Sequence, residues 1–225
     1  MNSVARPIDR IEKFVSEMFP GSCSVAVEGF DHTVEKLSVE EARVVANASP
    51  GRRREFAAGR AAAKRALARL GIYCPGIPAG RDRAPQWPPN VVGSISHAHG
   101  VAIAVVSRSA EVLGLGIDVE RTGAVSGEVV PLLLTGSEQQ WLRVQATKGA
   151  EAWATMLFSA KEAFFKFQYP ATKAWIDFRD VEVSIRSETE FDIRILGALR
   201  IHQRATFRGR FLLSCDGLTI TAIHA

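Results

Sequence analysis

The spacing of apolar and polar residues changes period several times along the chain. Residues 22–28 (SCSVAVE) alternate with period two and predict a strand. Ser38-x-x-Glu41 is a capping-box pattern and predicts a helix to about Asn47. Ser49-Pro50-Gly51 predicts a break. From Arg52 to Leu70 the residues are strong helix formers, with Phe56, Ala63, Leu67 and Leu70 as an apolar stripe and Gly71 as the stop. Residues 72–90 are proline-rich and predict an ordered loop. In residues 91–107 (VVGSISHAHGVAIAVVS) two β-rich runs flank His97-Ala98-His99-Gly100, the pattern of a hairpin. Val112 to Glu120 (VLGLGIDVE) predicts another strand. Thr135-x-x-Glu138 opens a second capped helix to about Ala146, and residues 150–168 form a long one with Trp153, Leu157, Ala160, Phe164 and Phe167 on one face. The last third reads as strands: DVEVSIR, FDIRIL, RFLLSC and LTITAIHA.

One pattern occurs twice. Residues 56–64 and 158–166 share F-x-A-x-x-A-x-x-K, and each predicted helix is followed by a hairpin, SISHAHGVAIAVV and then LLSCDGLTITAI. This order predicts an α+β fold with a pseudo-twofold arrangement of two similar lobes, each a long helix on a small, mainly antiparallel sheet. The boundary falls near residues 108–116, dividing the chain into lobes 1–112 and 113–225.

Composition narrows the class. A chain of 225 residues forms one large domain or two small ones, and its mix of residues is that of a soluble globular protein. No apolar run approaches membrane-spanning length and the N-terminus shows no secretory h-region, so a cytoplasmic protein without membrane association is expected. Cys23, Cys74 and Cys215 are far apart and odd in number, which predicts reduced thiols rather than disulfides or a zinc site. The net charge of +4 is uneven, because Arg52, Arg53, Arg54, Arg60, Lys64, Arg65 and Arg69 crowd one stretch. Such a run suits an anionic partner, whether nucleotide, nucleic acid or acidic protein.

Candidate chemistry centres on carboxylates. Asp118 and Glu120 lie two apart on a strand and project to the same face, at the end of an apolar run. An oxygen-only pair suits a hard cation such as magnesium, although a D-x-E at a strand end, taken alone, reads first as a solvated pair. Ser159, Glu162 and Lys166 lie at i, i+3 and i+7 on a helical stripe opposite the apolar one, with Lys161 to its side; the alternative is a surface Glu–Lys pair. Ser94, Ser96 and His97 cluster at the hairpin turn, where a histidine contacts phosphate or caps the turn, and His99 is a weaker candidate. Arg52 and Arg60, eight residues apart, share a helix face and suit phosphates.

Together these segments resemble the 4′-phosphopantetheinyl transferases, specifically the two-lobed Sfp-like group and its EntD-like branch. The resemblance covers LSVEEARVVANASPGRRREFAAGRAAAKRALARLG, APQWPPNVVGSISHAHG, GIDVE and FSAKEAFFK. It implies transfer of the phosphopantetheine arm of coenzyme A to a serine of an apo acyl or peptidyl carrier protein, with release of 3′,5′-ADP, in secondary metabolism. It implies magnesium on Asp118 and Glu120, and Glu162 as third ligand or as base. It further implies Lys166 on the pyrophosphate with Lys161 assisting, Ser96 and His97 on coenzyme A phosphates, Arg52 and Arg60 on the 3′-phosphate and pyrophosphate, and Arg83 at the nucleotide pocket. Many relatives carry Lys directly before the position of Arg83, where this chain has Asp82, and Arg81 is the neighbouring charge that could replace it. The two linked lobes suggest a monomer with its site in the cleft between them. One rival is a different magnesium-dependent phosphate-transfer or phosphohydrolase enzyme using the same carboxylates; no P-loop supports it. The other is a basic nucleic-acid-binding protein; no recognisable module supports it, and no nucleic-acid partner is expected.

Overall fold

The computed structural model describes residues 7–30, 37–145, 149–198, 200–201 and 203–225. The expected helix end at Ala146 and the first six residues of the N-terminal reading lie outside them. The chain divides into two compact units, Met1–Leu115 and Gly116–Ala225. Each is α+β, as the pattern predicts, with an antiparallel sheet and one long helix.

In the first unit the order is α1 (Pro7–Ser16), β1 (Ser24–Gly29), α2 (Val39–Val44), α3 (Pro50–Arg69), β2 (Val91–Ala98) and β3 (Val101–Arg108). The sheet order is β1-β3-β2, with Ala26 opposite Ala104 and Ile95 opposite Ala104 from the other side. The helix α1 has no counterpart among the sequence expectations. The break expected at Ser49-Pro50-Gly51 is instead the start of α3: the Ser49 hydroxyl accepts from the Arg52 N–H at 3.3 Å, and Pro50 sits where its missing N–H costs nothing. Alanines Ala62, Ala63 and Ala66 with Leu67 pack α3 on the sheet, against Ala26, Ala104 and Val106.

The arginine-rich stretch is not one exposed basic patch. Glu12 of α1 accepts from Arg65 at 2.8 Å and from Arg69 at 2.7 Å, and the same two arginines donate to the Val27 and Val25 carbonyls of β1. Lys64 reaches the fully buried Glu41 at 3.3 Å. Three of the seven basic residues therefore fasten α3 to its own unit.

In the second unit the order is β4 (Leu115–Arg121), α4 (Val130–Leu133), α5 (Gly136–Val144), α6 (Ala150–Thr172), then β5 (Val181–Ile185), β6 (Glu190–Ile195), β7 (Thr206–Cys215) and β8 (Leu218–His224). These strands form a five-stranded sheet, β4-β8-β7-β6-β5, against three strands in the first unit. The helix α6 buries Ala154, Leu157, Ala160, Phe164 and Phe167 with Phe191, Ile193, Phe207 and Phe211 of the sheet. It runs through Pro170 to Thr172, beyond the expected end at Gln168, and stops where Lys173 takes a left-handed conformation.

Candidate active site

The carboxylates meet because β4 and α6 touch backbone to backbone. A Cβ on Gly116 would lie 2.0 Å from the Ala163 carbonyl oxygen of α6. No side chain larger than hydrogen fits there, so Gly-Ile-Asp-Val-Glu can run directly against the helix. Gly116, Asp118 and Glu120 share the face that alternation assigns them. Glu162 is the residue before Ala163 on α6, and Lys166 follows one turn later.

Asp118 is buried, and its Oδ1 accepts from the Lys166 ammonium at 2.6 Å. Glu120 is half-buried; burial first, then the charge of Asp118, push its carboxyl up to about 7, against the pull of Lys166 and with a further push from Glu162. The Glu162 carboxyl is also raised, by burial and then by Asp118, with Lys166 opposing. Three carboxylates thus share one lysine, an arrangement short of positive charge.

Among the described residues, no group of three or more His, Cys, Asp or Glu side chains stands ready to hold a metal ion. A magnesium ion does not require such a cage: it takes one or two carboxylates and completes its shell with water and substrate phosphate oxygens. The donor set, oxygen-only and mutually repulsive, fits that ion.

Beside Glu162 the second unit opens a cavity of about 290 Å³, lined by Lys161, Phe164, Phe165, Trp175, Ile176, Asp177 and Phe178 among others. Its aromatic walls come from α6 and from the turn after it. The sequence singles out none of them as a site residue, because an aromatic stripe on a helix reads as core. A larger groove of about 610 Å³, on the β6–β8 side of the sheet, is lined by none of Asp118, Glu120 and Glu162.

Two residues expected on the polar stripe of α6 or beside it are enclosed instead. Ser159 is fully buried and its hydroxyl pairs with Thr221 of β8 at 2.9 Å. Lys161 is also buried, at 2 % exposure, and donates to Glu138 Oε2 at 2.7 Å, the Leu133 carbonyl at 3.0 Å and the Phe178 carbonyl at 2.7 Å. An ammonium has three protons, so none is left for a phosphate. This placement is at odds with the phosphate-assisting role that the resemblance implies for Lys161.

In the first unit, His97 lies within β2, ahead of the turn at residues 99–100, and its Nε2 accepts from Arg52 Nη1 at 2.7 Å. Arginine has no acceptor, so this nitrogen carries the lone pair. Glu55 accepts from the same Arg52 nitrogen at 3.1 Å. Arg60 is mostly enclosed: its Nε donates to the Ile77 carbonyl at 2.6 Å and its guanidinium lies 4.2 Å from the Phe56 ring centre. Burial, followed by an opposing pull from Glu41 and a push from Arg52, lowers Arg60 to about 10. Ser94 and Ser96 are buried on one face of β2, whereas His97 lies with Ile95 on the face turned to α3, so the neighbouring Ser96 and His97 project to opposite sides of the strand. Arg83 is exposed in the 72–90 loop with a left-handed backbone, φ 65°.

Comparison with known proteins places this geometry in a class. The model of the 4′-phosphopantetheinyl transferase N-terminal domain matches residues 40–107, and that of the 4′-phosphopantetheinyl transferase superfamily matches residues 114–214. The chain is 38 % identical over 201 residues to the 4′-phosphopantetheinyl transferase Svp of Streptomyces mobaraensis, covering 86 % of this chain and 80 % of that one. It is 33 % identical over 192 residues to the 4′-phosphopantetheinyl transferase PptT of Mycobacterium tuberculosis, covering 82 % and 84 %. Enterobactin synthase component D of Escherichia coli K12 is 37 % identical over 148 residues, covering 62 % and 68 %. The chain belongs to the 4′-phosphopantetheinyl transferase family. It is a phosphopantetheinyl transferase, of the family that takes its group from coenzyme A and delivers it to carrier proteins. Among the described residues, no helix is long and apolar enough to cross a membrane.

Proposed function

We propose that this transferase is magnesium-dependent, that Asp118 and Glu120 hold the ion with Glu162 beside them, and that the acceptors are acyl or peptidyl carriers of secondary metabolism. The observation that supports the site is the placing of three carboxylates in partly buried surroundings beside Lys166: burial first, then the charge of Asp118, raises Glu120 and Glu162 although Lys166 pulls them down. Bound there, magnesium would supply charge neutralisation at the pyrophosphate oxygens of coenzyme A.

The carrier serine attacks the β-phosphorus of coenzyme A. A new Oγ–P bond forms, the phosphoanhydride bond breaks, and 3′,5′-ADP leaves with the electron pair. Glu162, which burial raises above the ordinary carboxylate value and so makes a stronger base, accepts the serine proton. Lys166 stands at Asp118 and offers a proton donor to phosphate oxygens as their charge grows. The cavity beside Glu162 takes the pantetheine arm: its walls are aromatic and its rim carries the proposed base. Arg52, Arg60, Arg83, Ser96 and His97 are assigned to the phosphates and nucleotide of coenzyme A, with Arg52 and His97 the pair whose contact supports this most directly. The enzyme works as a monomer.

Secondary metabolism is favoured by relatives such as enterobactin synthase component D. The test is intact-mass measurement of several apo carriers after incubation with coenzyme A and magnesium. Peptidyl and polyketide carriers gain the phosphopantetheine mass, and omitting magnesium abolishes the gain. Full activity in both Glu120→Gln and Glu162→Gln would remove the site assignment.

A further inference from the structure

We infer that Lys161 and Glu138 form an internal pin that positions Glu162 and the wall of the adjoining cavity, and that Lys161 is a positioning residue whose ammonium does not bind the phosphates of coenzyme A. The inference rests on the site reading above for what is positioned. It stands on the contacts for how.

Glu138 is buried at 2 % exposure in the first turn of α5. Its Oε2 accepts from the Thr135 N–H at 2.7 Å and from Lys161 at 2.7 Å; its Oε1 accepts from the Val183 N–H of β5 at 2.7 Å. Lys161 adds the Leu133 carbonyl at the end of α4 and the Phe178 carbonyl in the turn after α6. Two side chains therefore join α4, α5, α6, the Phe178 turn and β5. Phe178 and Val181 line the cavity, and Glu162 is the next residue after Lys161. Moving the ammonium would displace the cavity wall and let α6 rotate at the position that carries Glu162.

The first unit supplies an independent instance of the device. Glu41, fully buried, accepts from the Ser38 N–H at 2.7 Å, from the Ile77 N–H at 2.8 Å and from Lys64 of the long helix at 3.3 Å. The components match one for one: a capping-box glutamate, its cap residue, a lysine of the long helix and a backbone N–H of a later segment. Among the described residues, the strands of that unit carry no counterpart of the Asp118–Glu120 pair. The device is thus architectural in origin, and in the second unit it has come to lie next to the site.

Two measurements test this. The first uses the unaltered protein. Lysines are reductively methylated with and without coenzyme A and magnesium, and modification is mapped by peptide mass. Lys161 stays unmodified in both conditions, because its three donors are enclosed, whereas Lys166 is modified in the free enzyme and protected by coenzyme A. Modification of Lys161 that coenzyme A suppresses would overturn the inference and make it a ligand. Absence of protection at Lys166 would count against the site reading instead, and so distinguishes the two failures. The second compares Glu138→Gln, Lys161→Met and the double variant. Acting as one unit, all three lower kcat by a similar factor, about 10-fold or more, with KM for coenzyme A changed less than about threefold, and the double variant is no worse than the singles. A wild-type kcat in the folded variants means a purely structural pin and overturns the positioning role, as does a large KM rise confined to Lys161→Met. If Lys161→Met does not fold, Glu138→Gln, which keeps the shape of the side chain, carries the comparison.

Discussion

Gly116→Ala is the sharpest perturbation of the site, because it adds one methyl group where β4 and α6 lie too close to admit one. The added Cβ would lie 2.0 Å from the Ala163 oxygen, 2.9 Å from the Ala163 carbonyl carbon and 2.9 Å from the Phe167 Cβ. Two of these three neighbours are backbone atoms and cannot rotate aside. Relief to even 3.0 Å requires strand and helix to part by about 1 Å. Asp118 and Glu120 ride on that strand, Glu162 and Lys166 on that helix, and the 2.6 Å contact of Lys166 with Asp118 spans the gap. Overpacking of this kind costs about 1–3 kcal/mol, which for a chain of this length lowers Tm by about 2–4 °C per kcal/mol. A misplacement of ~1 Å in a catalytic constellation costs on the order of 100-fold in rate. The assay is the initial rate of carrier modification by intact mass, below the Tm of the variant, alongside thermal unfolding. The expected result is a rate loss on the order of 100-fold with a modest Tm loss. A folded Gly116→Ala enzyme with wild-type kcat would refute the claim that this close approach sets the carboxylate geometry.

Three further outcomes are expected. Burial alone would raise Glu41, but the Ile77 and Ser38 N–H groups and Lys64 outweigh it and hold its carboxyl below the ordinary 4.5. A depressed folded value means that its stabilisation is complete above about pH 5 and is lost as pH falls through and below 4.5; Glu41→Gln, measured by urea unfolding across pH 3–7, lowers stability at neutral pH by about 1–3 kcal/mol and flattens the acid limb. Magnesium at 100 times its dissociation constant stabilises the free enzyme by at most about 2.7 kcal/mol, read as a Tm rise that Asp118→Asn/Glu120→Gln abolishes; an unresponsive wild-type protein would count against a metal site preformed without substrate. Gly209→Ala, whose Cβ would lie 2.2 Å from the Phe191 ring on the neighbouring strand, destabilises by about 1–3 kcal/mol without altering kcat of the folded fraction, since Gly209 touches no site residue.

The strands and the hairpin were legible because period-two alternation over short runs leaves few alternatives, and the acidic pair was legible because that same period aims Asp118 and Glu120 together. What misled was the assumption that a helix buries one face. Ser49-Pro50-Gly51 looks like a breaker, yet proline just after a serine is equally a helix start, and it opens α3. On α6, the i, i+3 and i+7 spacing put Ser159 on an exposed stripe with Glu162 and Lys166, and the family resemblance added Lys161 from its side. In fact β8 covers one flank through Thr221, while Glu138 and the Phe178 turn cover another. A helix enclosed on both flanks exposes a narrow window, and only long-range partners show where it falls.

That window explains the imperfect repeat between the two long helices. Sequence alignment of F-x-A-x-x-A-x-x-K equates Lys64 with Lys166. By contacts, however, Lys64 matches Lys161: each answers the buried glutamate of a capping box, Glu41 in one unit and Glu138 in the other. The second helix thus meets its glutamate with a lysine five residues earlier than the motif lysine. With Lys161 satisfying Glu138, Lys166 is not needed for the pin and stands at Asp118 instead. A single lysine could not do both, since the pin consumes all three of its protons. Carrying Lys161 in addition to Lys166 is what allows the second unit to keep the architectural ion pair of the first and still place a cation among its carboxylates.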